Sequence, residues 1–243
     1  MNKEYKSGKS SKNQAELYGE TKELSIRYLI TRDLGPWLSK LRGKEALDYG
    51  VGLGFSIDHL LSQGFNVKGV DINPHMIEEA QKRHPTVEIS LTTPGKLPFQ
   101  NKTFDLVLSW WVLFELSSIE EMSLYLREGK RVLKDDGLLI AMVANSEAYK
   151  PGYKSTLYDF NFPENKNAKS GDLVKMRYNE INLAFTDYLW LAEDYRVAFE
   201  SAGLEICAMH YPLGKAGEGY PWQDEMTMSL ALVIIAKPKS SIS

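Results

Sequence analysis

The chain has 243 residues, of which 43% are apolar and 25% charged, and its formal net charge is −3. That is enough chain for one large domain with a sizeable core. The mildly acidic balance removes any general attraction to polyanions, so nucleic acid is not the expected partner. A lone cysteine, Cys207, excludes an intrachain disulfide. No apolar run is long enough to span a bilayer, and the N-terminus carries no secretory h-region. The expectation is therefore a cytoplasmic protein that does not engage a membrane, with Cys207 inside a buried strand.

Residues 1–13 are polar and lysine-bearing and read as a flexible tail. From Gln14 to Ile30, Leu17, Leu24, Tyr28 and Leu29 recur at helical spacing, and a short helix follows from Leu34 to Leu41. These form an N-terminal helical lid on a single domain running from 14 to 243. The period then changes. Glu45–Tyr49 reads as a buried strand, Phe55–Ser62 as a helix closed by Gly64, and Asn66–Ile72 as a second strand. Asn73-Pro74 opens a helix, with Asn as N-cap and Pro at the first helical position, that runs to about Arg83. Val87–Leu91 and Phe104–Trp110 are the third and fourth strands. Ser118-Ile119-Glu120-Glu121 is a capping-box sequence that starts a helix ending near Lys134. Asp135-Asp136-Gly137 turns the chain into a fifth strand, Leu138–Ala144. Residues 146–190 lack a clean period and read as an irregular insertion. Glu193–Ala202 is a helix, and Leu204–His210 and Leu230–Lys237 are the last strands.

This alternation implies an α/β fold: a doubly wound, seven-stranded, mostly parallel sheet with helices on both faces. The last two strands, joined without a helix, make a hairpin with one antiparallel C-terminal strand.

The chemistry concentrates after the first strand, in Asp48-Tyr49-Gly50-Val51-Gly52-Leu53-Gly54-Phe55. Glycines between a strand and a helix let the chain turn tightly and let a ligand lie against the backbone. The second strand ends in Asp71, 21 residues after Gly50. An acid there can accept hydrogen bonds from both ribose hydroxyls of a nucleoside. The four histidines are scattered and show no Cys/His ligand spacing, so no metal site is expected.

The Gly50-x-Gly52-x-Gly54 spacing, with Asp48 before it, resembles the first motif of the class I (Rossmann-like) S-adenosylmethionine-dependent methyltransferases. Val70–Ile77 is similar to that family's ribose-and-adenine segment. Leu97-Pro98-Phe99 with Phe104–Val107 resembles its run into the fourth strand, and Arg131–Leu139 its passage into the fifth. The resemblance covers 44–145 in order and spacing. It implies S-adenosyl-L-methionine as cofactor and assigns residues to it. Gly50, Gly52 and Gly54 would line the methionine and ribose part, and Asp48 would act near its amino group or brace the loop. Asp71 would hold the ribose, and Ile72 would pack on the adenine. Ser109 and Trp110 would face the methionine part. Tyr18 and Trp110 offer aromatic faces to a sulfonium, whereas Trp111 reads as core. Many members carry an acid four positions before the Leu97 equivalent to read the adenine amine. Here that position is Thr93, a departure that bears on the adenine contact.

Residues Ser109-Trp110-Trp111-Val112 lack the Asn/Asp-Pro-Pro-aromatic run of family members that methylate DNA bases or protein glutamine. The implied substrate is therefore a small-molecule acceptor methylated on N or O, as in small-molecule biosynthesis. Aromatics between Tyr149 and Trp190 would roof its pocket, with Asn145 and Tyr178 as substrate contacts. No residue must be a general base, though His210 and Glu115 are conceivable. Two other readings stay open. One is non-methylating use of the cofactor, such as intramolecular cyclisation with release of methylthioadenosine, favoured by a pocket without room for a second substrate. The other is a non-catalytic binding module. A homodimer is compatible with the sequence.

Overall fold

A computed structural model describes residues 3–6 and 24–240. Among them, strands β1 (Lys3–Lys6), β2 (Glu45–Tyr49), β3 (Asn66–Asp71), β4 (Glu88–Leu91), β5 (Phe104–Trp110) and β6 (Leu133–Ala144) come first. They are followed by β7 (Tyr158–Asp159), β8 (Leu173–Tyr178), β9 (Leu183–Tyr188), β10 (Leu204–His210) and β11 (Ala231–Pro238). The helices are α1 (Leu24–Thr31), α2 (Gly35–Leu38), α3 (Phe55–Ser62), α4 (Pro74–Arg83), α5 (Ile119–Val132) and α6 (Ala192–Ser201).

Seven strands form the main sheet in the order β10-β11-β6-β5-β2-β3-β4. The β6–β5–β2–β3–β4 run is parallel, and β11 inserts antiparallel between β6 and β10. Alternation along β6 builds both layers. Leu138, Ile140 and Met142 join the core under α1, α2, α3 and α4. Leu139, Ala141 and Val143 join the core under α5 and α6. The expected seven-stranded doubly wound sheet is what folds, including its antiparallel strand.

Local signals act as their chemistry requires. Asn73 caps α4 by accepting from the His75 N–H at 3.0 Å, with Pro74 next. Ser118 Oγ accepts from Glu121 N–H at 3.1 Å at the start of α5, but Glu121 turns to the Ser117 N–H and hydroxyl, so the box is only half closed. The expected turn at Asp135-Asp136-Gly137 lies inside β6. Phe104 pairs with Leu133 and Leu106 with Leu138, so the residues between bulge out of the ladder.

Two expectations change in the insertion and the tail. The stretch 146–190 is not irregular: β7, β8 and β9 form an antiparallel sheet, and β1 adds to its edge in parallel with β9. Thus Lys3–Lys6 of the expected tail is a strand. Main-chain pairing needs no particular side chains, and a free strand edge offers its N–H and C=O groups to any extended segment. The rest of that tail, and the Gln14–Glu23 part of the expected helix, lie outside the described residues.

Cys207 is exposed, not buried. It sits where the β10–β11 register shifts between Ile206 and Ala208, so the bulge turns it out. The segment between β10 and β11 is strapped to α1. Glu218 accepts from Arg32 at 2.6 Å, Tyr28 at 3.1 Å and Trp222 at 3.0 Å. No helix among the described residues is long and apolar enough to cross a membrane.

Candidate cofactor and acceptor site

A cavity of about 480 Å³ opens at the carboxyl ends of β2, β3, β5 and β6, the switch point of the sheet, where the strand order reverses and ligands enter such folds. Its floor is the glycine loop. Gly50 and Val51 both donate to the Val70 carbonyl at 2.9 Å, which ties the loop to β3. Gly52 has φ +50°, and nothing lies within 4 Å of where its side chain would start. The backbone there faces open space, as close approach of a ligand to the main chain requires.

Asp71 closes this end. Its Oδ2 accepts from Gly52 N–H at 2.8 Å and its Oδ1 from Asn73 N–H at 2.9 Å. Burial raises its pKa, while these N–H groups and that of Ile72 pull it back toward ionisation. Each carboxylate oxygen retains a lone pair for a further donor. Ile72 beside it is 53% exposed and lines the cavity, an apolar platform without a protein partner on its outer side. Arg27 also lines the cavity and stacks on the Phe55 ring at 3.5 Å, with Arg83 over the same ring at 4.2 Å.

The other end is aromatic. Trp110 ends β5, and its indole Nε1 is buried without a hydrogen-bond partner. Trp111 packs against both cores, as its sequence reading expects, and also lines the cavity. Its φ of +56°, rare for an aromatic, turns it out of the strand direction. Above stand Tyr158, Met176 and Phe185 of the second sheet and Phe160 just after β7. Asp187, also from that sheet, is buried in this wall, and burial pushes its carboxyl up to about 7.

The remaining sequence candidates fall elsewhere. Asp48 is fully buried beneath the loop and accepts from the Ser56 hydroxyl, while its Oδ1 has no partner; burial pushes it up to about 7. The bond from Ser56 ties the end of β2 to the first turn of α3, on either side of the loop. Gly54 begins α3, and its carbonyl meets His84 Nε2 at 2.8 Å. Ser109 points to the opposite face of the sheet, where its hydroxyl meets that of Tyr125 at 3.0 Å, because strand alternation sends it away from Trp110. Thr93 lies in an exposed turn bridged to Lys96.

Asn145 is occupied by structure. It donates to the Ser229 carbonyl at 2.6 Å and caps the following turn, facing a separate shallow groove. Tyr178 stands behind Tyr158, ring centres 5.2 Å apart, with its hydroxyl on Glu180 at 2.6 Å. His210 pairs with Asp33 at 3.0 Å, away from the cavity, whereas Glu115 lines it. Tyr18 lies outside the described residues. No cluster of metal-ligating side chains occurs among the described residues.

Asp187 was missed, although the strand pattern carried a signal. In Leu183-x-Phe185-x-Asp187, an acid occupies a position that alternation assigns to the buried face.

Residues 47–141 match the family model described as a methyltransferase domain. A demethylmenaquinone methyltransferase from Tropheryma whipplei is 38% identical over 101 residues, 40% of this chain and 41% of that protein. The chain thus spans about two fifths of the length of that relative. A protein of Mycolicibacterium smegmatis named as a probable S-adenosylmethionine-dependent methyltransferase is 24% identical over 79% of this chain and 72% of its own length. The solved structure of an S-adenosylmethionine-dependent methyltransferase from Methanosarcina mazei shares the fold. Its TM-score is 0.64 at 22% identity, over 86% of this chain and 100% of that one.

Proposed function

The chain belongs to the class I, Rossmann-like S-adenosylmethionine-dependent methyltransferases, and on that premise we propose that it moves a methyl group from S-adenosyl-L-methionine to N or O of a small-molecule acceptor. One observation carries the reading. A single cavity runs from the Gly52–Asp71 cradle to the aromatic chamber below the second sheet. At about 480 Å³ it falls within the roughly 300–1,000 Å³ of pockets that hold small organic ligands.

The residues present fit the cofactor. The open backbone at Gly52, the carboxylate of Asp71 and the bare face of Ile72 supply a close approach, a ribose acceptor and an adenine platform. When bound, the cofactor supplies a methyl already activated on a sulfonium. The protein's task is then to hold the two partners in line and keep water away. Trp110 and Trp111 present faces that favour a cation, and the second sheet roofs the chamber. Asp48 and His84 act one step back, by holding the loop.

The test is titration of S-adenosylmethionine into the purified protein, followed by incubation with the cofactor alone and mass spectrometry. Bound, intact cofactor is the expected result. Methylthioadenosine with a cyclised partner, absent from a protein-free control, would replace methyl transfer by the cyclising chemistry. Absence of binding would remove both.

A further inference from the structure

Asp187 has no part in the roles given so far. The β8–β9 register sets Leu183, Phe185 and Asp187 on one face, opposite Tyr178, Met176 and Val174. Asp187 is thus a single acid on an otherwise apolar or aromatic surface, 3% exposed and lining the cavity. Its hydrogen-bond partner is the Tyr149 hydroxyl, which donates to Oδ2 at 3.5 Å. Hydroxyl-to-carboxylate bonds are ordinarily about 2.5–2.7 Å, so this contact leaves the charge poorly compensated. No ion pair reaches Asp187 among the described residues. A buried carboxylate in such surroundings is costly unless something pairs with it.

The charge of the whole cavity points the same way. Among the described residues, Asp71, Glu115 and Asp187 line it, with Arg27 and His75 as the basic side chains. Tyr158, Phe160 and Phe185 line the same cavity, and aromatic faces attract cations.

Building on the methyl-transfer reading, we propose that Asp187 recognises the methyl acceptor, and that the acceptor is a small aromatic or apolar amine entering as its ammonium. The carboxylate pairs with the ammonium N–H groups while the rings hold the carbon skeleton. It also receives the proton the ammonium must lose before its nitrogen can act as a nucleophile. The N–H bond breaks, an O–H bond forms on Asp187, and the electron pair stays on nitrogen. Burial has already pushed this carboxyl up to about 7, which suits proton exchange near neutrality. A hydroxyl acceptor would leave the carboxylate charge unpaired, and an acidic one would add a second negative charge beside it.

The test uses the full chain saturated with S-adenosylhomocysteine and titrated calorimetrically with 2-phenylethylamine, 2-phenylethanol and phenylacetate. The amine is expected to bind at least tenfold more tightly than the alcohol, and phenylacetate not at all. Asp187→Asn is expected to weaken the amine at least tenfold while sparing the alcohol and the S-adenosylhomocysteine. Equal binding of amine and alcohol by the wild type would overturn the proposal, and that comparison holds whether or not the variant folds. Unchanged amine binding by Asp187→Asn would overturn it too, as would no amine binding by protein that takes S-adenosylhomocysteine. A natively folded variant that lost S-adenosylhomocysteine would move Asp187 to the cofactor and overturn it as well. Failure of the wild type to bind S-adenosylhomocysteine is a separate result, against the methyl-transfer reading itself.

Discussion

The amide of Gly52 donates to the carboxylate of Asp71 at 2.8 Å, so the loop after β2 and the end of β3 form one unit. Asp71 is the loop's clamp, and in the proposed reading it also accepts the ribose hydroxyls. Asp71→Ala is expected to weaken S-adenosylmethionine at least tenfold, about 1.4 kcal/mol or more. Asp71→Asn, which keeps one acceptor oxygen, is expected to fall between. Calorimetric titration checks both, and an unchanged affinity in the alanine variant would remove the ribose assignment.

Gly54 shows a second clamp. It adopts φ +79°, and a Cβ there would stand 2.9 Å from the His84 ring. Gly54→Ala is expected to cost roughly 1–3 kcal/mol in urea unfolding, from the left-handed backbone and the clash together. His84→Ala removes the clash but also the partner of the Gly54 carbonyl. The double variant is therefore expected to be less destabilised than the two single effects added. Strict additivity in the cycle would mean that ring and loop are not coupled.

Tyr125 supports the loop from the opposite face. Its hydroxyl donates to the Tyr49 carbonyl at 2.6 Å, and its ring stacks on that of Tyr49 at 3.8 Å. Tyr125→Phe keeps the stack and deletes the donor. The expected loss is about 1–3 kcal/mol, the cost of leaving a buried acceptor without its partner. Cofactor affinity should fall with it, because Tyr49 leads directly into Gly50. Chemical denaturation with and without S-adenosylhomocysteine separates the two effects.

Asp48 and Asp187 give the protein an acid-favouring component of stability. Both are pushed from 3.8 up to about 7 by burial. Between these values the folded state holds protons that the unfolded chain has released. The contribution is therefore complete below about pH 4 and is lost as pH rises through 7. Tyr149 and Tyr195, the titratable neighbours of Asp187, are raised by burial and stay neutral throughout. Asp33, held at about 2 by Arg32, titrates below the window. Between pH 5 and 8 the ligand-free wild type should lose roughly 2–3 kcal/mol that Asp187→Asn does not lose. Melting temperatures at constant ionic strength should show the wild-type curve falling several degrees further. Parallel curves would mean that Asp187 is ionised at pH 5.

The glycine loop and Asp71 were legible because each uses a residue type that few positions tolerate, at a spacing set by strand, turn and helix lengths. The second sheet was not. In β8, Val174, Met176 and Tyr178 do alternate with charged neighbours, but in β9 the inward set contains Asp187 and the outward set Tyr188. That inversion weakens the period-two signal where the aromatic end of the cavity is built, and leaves only the misplaced acid as a clue. β7 has only two residues and exists through its pairing with β8. Asn145 and Ser109 failed differently. Ser109 stands within β5 and Asn145 directly after β6, but side-chain direction and rival partners, Tyr125 and Ser229, are three-dimensional facts.

The antiparallel placement of β11 has a consequence in time. Because that strand runs opposite to β6, its first residue Ala231 pairs with Ala144, the last of β6, and Leu230 just before it joins the cavity wall. Synthesis proceeds from the N-terminus, with domains folding as they emerge. The glycine loop and Asp71 therefore leave the ribosome long before the wall that completes their chamber. The cavity lining is drawn from Arg27 through Leu230, so the enclosure is complete only once β11 has paired with β6.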